Sequence, residues 1–360
     1  MTADAVGGVW TYVLELTQAL AAREVHVDLA VMGPAPSPAQ RRQALALPNV
    51  TLHERPGRLE WMDDPWDDVA AAGDWLLDLE RQLAPDVVHL NNYAHAALAW
   101  RAPVIVCGHS CVLSWWLAVH AQAAPSSWQT YADTVAAGLA AADLVVAPTK
   151  AMLSALDLHY GPLARTAVIA NGRSNANPPL PPVKEPLILT AGRLWDPAKN
   201  LAAVCAAARH VSWKVAVAGE RRHPDGSVSP IPDGVHPLGP LATEHLADWM
   251  RRASIYALPA RYEPFGLSIV EAALAGCALV VGDISSLREV WGDAALYVPP
   301  DDPRALATAL QALVDDEARR AEMARRAHAR ASTLTPERMA DEYVSAYRNL
   351  LAVAEPAMLA

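Results

Sequence analysis

Seven short runs of Val, Ile, Leu and Ala recur along the chain, each followed by a polar or glycine-containing loop and then by a helical period. The runs are 86-DVVHL-90, 103-PVIVCGH-109, 143-DLVVAPT-149, 187-LILTAGR-193, 214-KVAVAG-219, 254-SIYALPA-260 and 278-ALVVGD-283. Near-continuous apolar strands of this kind are typical of sheets that are buried on both faces. The pattern therefore predicts parallel sheets covered by helices on either side, the doubly wound α/β architecture.

The chain has 360 residues, which is long for one hydrophobic core, and a run with five prolines divides it. This run, 177-NPPLPPVKEP-186, cannot form helix or interior strand, so it predicts a stiff linker. We expect one Rossmann-like domain over residues 1–176 and a second over residues 187–334. A last helix over residues 335–360, with Pro336 at its first position, is expected to cross back to the N-terminal domain.

The beginning of the chain is unusual, because only three residues precede Asp4, where the first glycine loop starts. The segment 4-DAVGGVWTYVLELTQAL-20 is typical of a loop followed by an amphipathic helix. A βα unit needs a strand before such a loop. The sequence thus predicts a truncated first strand, or a native start upstream of Met1.

The net charge and the apolar runs of the chain exclude several classes of partner. The formal net charge is -10, and residues 1–182 account for -7 of it, with 10 Lys and Arg against 17 Asp and Glu. This acidic balance argues against a nucleic-acid backbone or an anionic membrane as the main partner. No apolar run reaches the length of about 18 residues that a membrane span needs, and no cleavable leader pattern opens the chain. We therefore expect a cytoplasmic protein without integral membrane contact.

The four cysteines do not form a metal-binding pattern. Cys107 and Cys111 are separated by three residues rather than two, and Cys205 and Cys277 stand alone. We interpret all four as reduced, small core residues, and we predict no metal site.

The stretch 261-RYEPFGLSIVEAALAGC-277 contains the single phenylalanine of the chain and two glutamates eight positions apart, Glu263 and Glu271. On one helix the two would lie about 80° apart around the axis and about 12 Å apart along it, too far to share a small ligand. We therefore place Glu263 on a loop and Glu271 in a helix that begins after 264-PFG-266. The free N–H groups of that helix start, flanked by two carboxylates, suit a ligand with a phosphate and hydroxyl groups, such as a nucleotide sugar.

A purely structural interpretation of the same stretch stays open. Ser268 and Glu271 are spaced as in a capping box, and acidic residues near a helix start stabilise any helix by roughly 0.3–1 kcal/mol. Two further features favour ligand binding over capping.

The first feature is the loop 190-TAGRLWDPAKN-200, where a strand gives way to a helix. Arg193 and Lys199 flank this loop at the carboxyl edge of the sheet, where open α/β sheets bind ligands, and the two charges could neutralise a diphosphate. Surface cations are common, so solvated side chains are the alternative. The second feature is the pair Gly7-Gly8 at the first strand-to-helix turn, which would let the backbone approach a phosphate or a sugar.

Together these motifs resemble the retaining glycosyltransferases of family 4, which have the GT-B fold. The resemblance extends over essentially the whole chain, and its most specific element is the E-x7-E pattern 263-EPFGLSIVE-271, followed by AALAGCALVVGD. The supporting motifs are the Gly7-Gly8 loop, 109-HS-110, 168-VIANG-172, 192-GRLWDPAKN-200 and 283-DISSLREVWGDAALYVPPDDP-303. The segment 171-NGRSN-175 departs from the pattern, because the family usually has a small apolar residue and then an acidic one where this chain has Arg173 and Ser174.

The resemblance implies two doubly wound Rossmann-like domains facing a central cleft, and a role for each matched residue. Arg193 and Lys199 would hold the donor diphosphate and stabilise the charge that develops as it leaves. Glu271 would accept hydrogen bonds from the ribose hydroxyls, and Glu263 would hold the sugar and the distal phosphate. Three further groups would also contact the donor: the backbone of Phe265, Gly266 and Leu267, the stretch from Gly239 to Leu241, which would line the base, and the glycines Gly7 and Gly8.

The resemblance also places groups from the N-terminal domain near the acceptor. His109 and Gly8 would face the transferred sugar, although a packed or surface role is the alternative for one of twelve histidines. Trp115 and Trp116, in 109-HSCVLSWWLAVH-120, follow the same strand end. We expect one of them to stack on an acceptor sugar, with ordinary packing as the alternative.

The predicted function is the retaining transfer of a hexosyl group from a nucleotide-diphosphate sugar to a hydroxyl of a glycan or small molecule. The resemblance implies a same-face displacement in which the departing phosphate deprotonates the incoming hydroxyl. The absence of a D-x-D motif agrees with a metal-independent reaction, and no cofactor is expected. Two other classes stay open: a nucleotide-sugar epimerase of the same fold, and a non-catalytic protein that binds nucleotide sugars or glycans.

Overall fold

The computed structural model describes residues 1–175, 183–223 and 226–358, with side chains described through residue 353. The chain divides into two compact units. Unit 1 comprises Met1–Gly172 with the C-terminal segment from Pro336, and unit 2 comprises Arg173–Thr335. Of the linker predicted over residues 177–186, residues 177–182 lie outside the described part.

Unit 1 contains two groups of parallel strands. The first group pairs in the order β1 (Thr2–Asp4), β2 (Val27–Gly33) and β3 (Val50–Pro56), and the second in the order β4 (Val88–Leu90), β5 (Val104–Cys107), β6 (Leu144–Ala147) and β7 (Thr166–Val168). Asn91, which follows β4, joins the two groups: its Nδ2 donates to the carbonyl of Thr2 at 2.7 Å and its backbone N–H donates to Thr2 Oγ1 at 2.8 Å.

The first strand is short but fully paired. Thr2, Ala3 and Asp4 align with Ala30, Val31 and Met32 of β2 in parallel register. Thr2 and Ala3 are buried. Thr2–Asp4 therefore forms a strand that belongs to the core of unit 1.

The helices of unit 1 alternate with its strands. They are α1 (Gly8–Ala21), α2 (Pro38–Leu45), α3 (Trp66–Leu83), α4 (Val112–His120), α5 (Gln129–Ala141) and α6 (Lys150–Tyr160), with short 3-10 turns at Ala94–Ala97 and Ser126–Trp128. Their starts follow ordinary capping rules in several cases: Ser37 forms a capping box with Gln40, and Thr149 caps α6 through Met152.

Unit 2 contains one parallel sheet in the order β10-β9-β8-β11-β12-β13. Its strands are β8 (Glu185–Ala191), β9 (Lys214–Ala218), β10 (His236–Gly239), β11 (Ala253–Leu258), β12 (Ala278–Gly282) and β13 (Leu296–Val298). Its helices are α7 (Leu201–Ala208), α8 (Thr243–Arg252), α9 (Leu267–Leu274), α10 (Ser285–Trp291), α11 (Pro303–Asp315) and α12 (Glu317–Ala331), with a 3-10 turn at Pro197–Lys199.

The strands at the centre of unit 2 are buried on both faces. Every residue of β11 and β12 is buried, and so are the last five residues of β8. Strands buried on both faces do not alternate between apolar and polar residues, which explains the nearly continuous apolar sequences of these three strands. Both units thus confirm the doubly wound α/β architecture that the apolar runs predict.

The start of β8 corrects the predicted linker. The strand begins at Glu185 and includes Pro186, so the last two residues of the proline-rich run are strand rather than linker. Pro186 is tolerated there because it lies next to the first residue of the strand, where the pairing of β8 with β11 is irregular and the pairing with β9 starts only at Leu187.

The C-terminal helix α13 (Pro336–Met358) belongs to unit 1, where it packs against α1. Arg23, just after α1, donates from Nε to Asp341 Oδ1 at 2.7 Å and from a terminal nitrogen to the carbonyl of Glu337 at 2.7 Å. Met339 and Tyr343 are buried. Across the described residues, no helix combines the length and the apolar character that crossing a bilayer requires.

Candidate active site

The two glutamates of the E-x7-E stretch lie on different elements, as their spacing predicts. Glu263 is in the loop that follows β11, and Glu271 is the fifth residue of α9. Phe265 is buried, so its ring belongs to the core of unit 2. Leu267 opens the helix. The loop, the helix start and both carboxylates therefore lie at the carboxyl end of a central strand.

The capping-box interpretation of this stretch is wrong. The N-cap of α9 is Gly266, and no side chain caps the helix. The Ser268 hydroxyl instead lies 3.0 Å from the hydroxyl of Tyr256. Gly266 has φ +92°, and a Cβ at this position would lie 2.7 Å from Cδ1 of Ile269. The sharp turn into the helix therefore requires glycine and leaves the helix start without a competing side chain.

Lys199 and Glu263 form an ion pair. Lys199 Nζ donates to Glu263 Oε2 at 2.5 Å, and the side chains are only 16% and 13% exposed. An ammonium group has three N–H donors, so one bond to Glu263 leaves donors for phosphate oxygens. Glu263 Cγ lies 3.4 Å from the position that a Cβ would take on Gly266, the N-cap of α9, so the pair holds a cation near the open start of that helix.

The loop that carries Lys199 is joined rigidly to the loop that carries Glu263. Asn200 is buried in a left-handed conformation, and its Nδ2 donates to the carbonyls of Pro259 at 3.0 Å and Pro300 at 2.6 Å. The backbone N–H of Arg261 donates to the carbonyl of Ala198 at 2.9 Å. These bonds hold two strand-end loops in register, so the ion pair does not depend on long side chains alone.

Arg193 has a different environment. Its guanidinium binds Asp196 at 3.0 Å and lies 5.2 Å from the ring centre of Trp195, and its side chain is 41% exposed. Asp196 is buried and also accepts from the backbone N–H of Ala198. Arg193 is thus tethered to the same loop as Lys199, with a more exposed charge.

Glu271 forms a second ion pair. Arg173 Nε donates to Glu271 Oε1 at 2.8 Å. Tyr256 lies near both glutamates: burial raises the pKa of its hydroxyl, and the charges of Glu271 and Glu263 raise it further. Its hydroxyl donates to the carbonyl of Ala191 at 3.0 Å. The two carboxylates therefore border one region of unit 2.

The predicted base-lining stretch lies at the end of β10. Gly239 has φ +71°, its Cβ position is open with no atom within 4 Å, and its carbonyl accepts from the N–H of Gly219 at 2.9 Å. Leu241 follows in the loop before α8 and is partly buried. The ion pairs described above do not involve Gly239 or Leu241, so the role of these two residues stays a prediction.

In unit 1, the predicted glycine pair forms the start of α1. Gly7 is the N-cap with φ +82°, Gly8 is the first helical residue, and no side chain caps the helix. Asp4 Oδ1 accepts from the N–H of Val6 at 2.8 Å, which shapes the turn. Both glycines are exposed, so their backbone is open to a ligand.

His109 is held in one tautomer by Asn91. The carbonyl of Thr2 can only accept, so Asn91 turns its Nδ2 toward Thr2 and its Oδ1 toward His109. His109 Nε2 must then donate to that oxygen, at 2.8 Å. The ring of Tyr12 packs edge-on against His109 with centroids 4.4 Å apart. Burial lowers the pKa of His109 to about 4, so its Nδ1 is an acceptor at neutral pH.

Trp115 and Trp116 lie on α4 and pack against each other and against His120. The two indole centroids are 6.0 Å apart, and those of Trp115 and Trp116 lie 5.6 and 4.6 Å from the imidazole of His120. Both indoles are half-buried. The contacts show neighbouring aromatic packing on one helix, and an acceptor role for either ring stays a prediction.

The comparisons with known proteins cover both units. Residues 6–174 match the family model for Glycosyltransferase Family 4, and residues 185–316 match the model for Glycosyl transferases group 1. A D-inositol 3-phosphate glycosyltransferase from Xylanimonas cellulosilytica is 30% identical over an alignment of 374 positions, gaps included, which spans 91% of this chain and 88% of that one. The chain belongs to glycosyltransferase family 4.

Other relatives agree with this assignment. A glycogen synthase from Mycobacterium tuberculosis is 29% identical over 283 residues, 69% of this glycosyltransferase and 66% of that protein. A sucrose-phosphate synthase from Thermosynechococcus elongatus has a similar structure, with a TM-score of 0.78 at 22% identity over 98% of this chain and 96% of the other. The Anabaena protein HepE, solved in complex with UDP and glucose, has a TM-score of 0.74 at 16% identity over 97% and 100% of the two chains. The fold of this glycosyltransferase is GT-B.

The sequence motifs do not identify several residues that hold the predicted site residues in place. Asn91, Arg173, Asp196 and Asn200 each hold a predicted site residue or its loop. Asp196 and Asn200 lie inside the motif 192-GRLWDPAKN-200, where a short polar side chain next to proline or at a helix start indicates that the side chain fixes the loop. Asn91 follows an apolar strand, which is the only local signal it offers. In the described parts of the chain, no three His, Cys, Asp or Glu side chains are grouped to hold a metal ion.

Proposed function

We propose that this glycosyltransferase transfers a hexosyl group from a nucleotide-diphosphate sugar to a hydroxyl of a glycan or small molecule, with retention and without a metal ion. The observation that carries the proposal is the ion pair of Lys199 and Glu263 beside the uncapped start of α9. Free helix N–H groups and a fixed ammonium group together suit a phosphate.

The donor assignment follows from the chemistry of each group. Lys199 and Arg193 would bind the diphosphate and stabilise its charge as the bond to the sugar breaks. Glu263 would orient Lys199 and accept from sugar hydroxyls, while Glu271 would accept from the ribose. Structural neighbours solved with UDP, with UDP and glucose, and with UDP-glucose support a nucleotide-sugar donor.

Groups of unit 1 are assigned to the transferred sugar and the acceptor. Neutral His109 would accept a hydrogen bond from a sugar hydroxyl through Nδ1, because Asn91 occupies Nε2–H. The exposed turn at Gly7 and Gly8 would allow close backbone approach. The acceptor hydroxyl would lose its proton to the departing phosphate, so this proposal needs no protein nucleophile.

The test is an assay with a panel of labelled nucleotide sugars, with and without candidate acceptors. Acceptor-dependent release of nucleoside diphosphate, a product with the donor's anomeric configuration, and full activity in the presence of EDTA are expected. An isomerised donor would indicate an epimerase, and tight binding without turnover would indicate a non-catalytic binding protein. Inversion, or loss of activity in EDTA, would contradict the finer parts of the proposal.

A further inference from the structure

Arg173 lies where the sequence departs from the family pattern, and its side chain binds one of the two E-x7-E glutamates. Arg173 and Glu271 are separated by 98 positions, yet Nε and Oε1 are 2.8 Å apart. The backbone N–H of Arg173 donates to the carbonyl of Leu334 at 2.9 Å. The guanidinium therefore extends from a fixed point of unit 2.

This ion pair is partly shielded from water. The side chains of Arg173 and Glu271 are 18% and 23% exposed. A shielded pair is screened less by solvent and salt than a surface pair. A guanidinium is planar and stays charged, so it also imposes a direction on the carboxylate that a flexible ammonium group would not impose.

Each of the two glutamates is paired with a cationic side chain that is distant in sequence. Glu263 binds Lys199 and Glu271 binds Arg173, and in both cases the cation comes from a distant loop. Glu263 Cγ lies 3.4 Å from the Cβ position of Gly266, the N-cap of the helix that contains Glu271, and both carboxylates raise the pKa of Tyr256. A carboxylate can accept about four hydrogen bonds, so a bond from Arg173 is compatible with further bonds from a ribose diol.

We propose that Arg173 is a positioning residue for ribose recognition. It orients Glu271 to accept from the two ribose hydroxyls, and so it contributes to the discrimination of ribonucleotides from 2′-deoxyribonucleotides. The inference rests on the proposed function, which assigns the ribose to Glu271. Arg173 acts through that carboxylate.

The experiment is calorimetric titration of the full chain with UDP, GDP and ADP and with their 2′-deoxy forms. For the base that binds best, wild type should prefer the ribonucleotide by about 10-fold or more, the scale of one hydrogen bond to a charged group. Arg173→Ala should reduce this preference to about 2-fold, and Arg173→Lys should give an intermediate value. Arg252→Ala, which breaks an exposed pair with Glu185 in the same unit, should leave the preference unchanged.

Glu271→Gln separates failure of the inference from failure of the proposed function. If Glu271→Gln removes the preference while Arg173→Ala and Arg173→Lys retain it, the role of Arg173 is overturned and the ribose assignment stands. If wild type has no preference, or Glu271→Gln keeps it, the ribose assignment itself is wrong. Tighter ribonucleotide binding by Arg173→Ala would show that Arg173 competes with the ribose, which also overturns the inference. Thermal unfolding of each variant shows whether it folds. If Arg173→Ala does not fold, the ribonucleotide preference of Arg173→Lys decides whether Arg173 has the proposed role.

Discussion

Lys199 and Glu263 are 64 positions apart in sequence and 2.5 Å apart in the structure. The contact joins the loops that follow two adjacent strands, β8 and β11, at the carboxyl edge of one parallel sheet. Both side chains are largely buried. A shielded charge without a partner is costly, so each of these two charged side chains lowers the free-energy cost of burying the other.

The turn at Gly266 offers a direct test of the helix start. Gly266→Ala should lower the free energy of unfolding by about 2–3 kcal/mol, because the strain of positive φ is joined by a clash of the new Cβ with Ile269. Gly226→Ala is the matched control, since Gly226 has the same φ of +92° and open space around its Cβ position. Its cost should be about 1 kcal/mol, from strain alone. Equal losses in urea denaturation would show that the packing around Gly266 is not tight.

His109 should make the stability of unit 1 depend on pH. Its pKa is lowered to about 4, whereas an unfolded histidine titrates near 6.5. Between these values the unfolded chain binds more protons, so stability falls as the pH drops from about 6.5 to 4. We expect the protonation of His109 to lower the free energy of unfolding by about 2 kcal/mol over this pH range, allowing for partial exposure of the ring. Denaturation curves at pH 7, 5.5 and 4.5 measure it.

His109→Gln should flatten that pH dependence, while His26→Gln should not, because His26 is an exposed residue of the same unit. Other buried histidines contribute as well: burial lowers the pKa of His89 and of His95. The difference between wild type and His109→Gln is therefore the informative quantity. Parallel curves for the two proteins would contradict the assignment of His109 as a half-buried, neutral imidazole.

Asn91 should control the tautomer of His109. In wild type, ¹⁵N spectra of histidine-labelled protein should show His109 protonated at Nε2, identified by difference from His109→Gln. Asn91→Asp places a carboxylate on that N–H and should raise the pKa of His109 from about 4 to at least about 5. A spectrum with the proton on Nδ1 in wild type would contradict the hydrogen-bond assignment.

Trp115 and Trp116 are predicted to contact the acceptor sugar through one indole. Alanine at that position should raise the KM for the acceptor by roughly 5- to 10-fold with little change in the KM for the donor, the scale of one aromatic contact. Trp128→Ala is the control, because Trp128 packs edge-on against buried Tyr131 and should affect stability instead. Unchanged acceptor KM in both single variants, with the fold intact, would rule out stacking.

The sequence predicts the buried strands of the fold better than its half-exposed ones. β11 and β12, in which every residue is buried, appear in the sequence as nearly continuous apolar runs. β3, by contrast, has the sequence VTLHERP and a largely half-exposed surface, and its pattern alone does not distinguish it from a loop. Only the pairing of β3 with β2 identifies this segment as a strand.

The candidate site was predictable as far as local geometry determines it. The spacing of Glu263 and Glu271 predicts their division between a loop and a helix, because an α-helix has a fixed rise and period. The partners of these glutamates could not be predicted, since Lys199 lies 64 positions from Glu263 and Arg173 lies 98 positions from Glu271, and no local pattern connects residues so far apart. The capping box at Ser268 does not form for a related reason. The Ser268 hydroxyl is hydrogen-bonded to the hydroxyl of Tyr256, a residue of β11, and not to the start of the helix.

The Lys199–Glu263 pair is proposed to bind the donor, and turnover of two variants, one at each residue, tests this role most directly. With the best nucleotide sugar from the panel, Lys199→Ala and Glu263→Ala should each lower turnover at least about 100-fold, the scale of losing one transition-state donor. The exposed pair Arg252 and Glu185 in the same unit supplies the control, and Arg252→Ala should retain wild-type turnover. If both Lys199→Ala and Glu263→Ala fold and stay within a few-fold of wild type, the ion pair is structural and the site lies elsewhere.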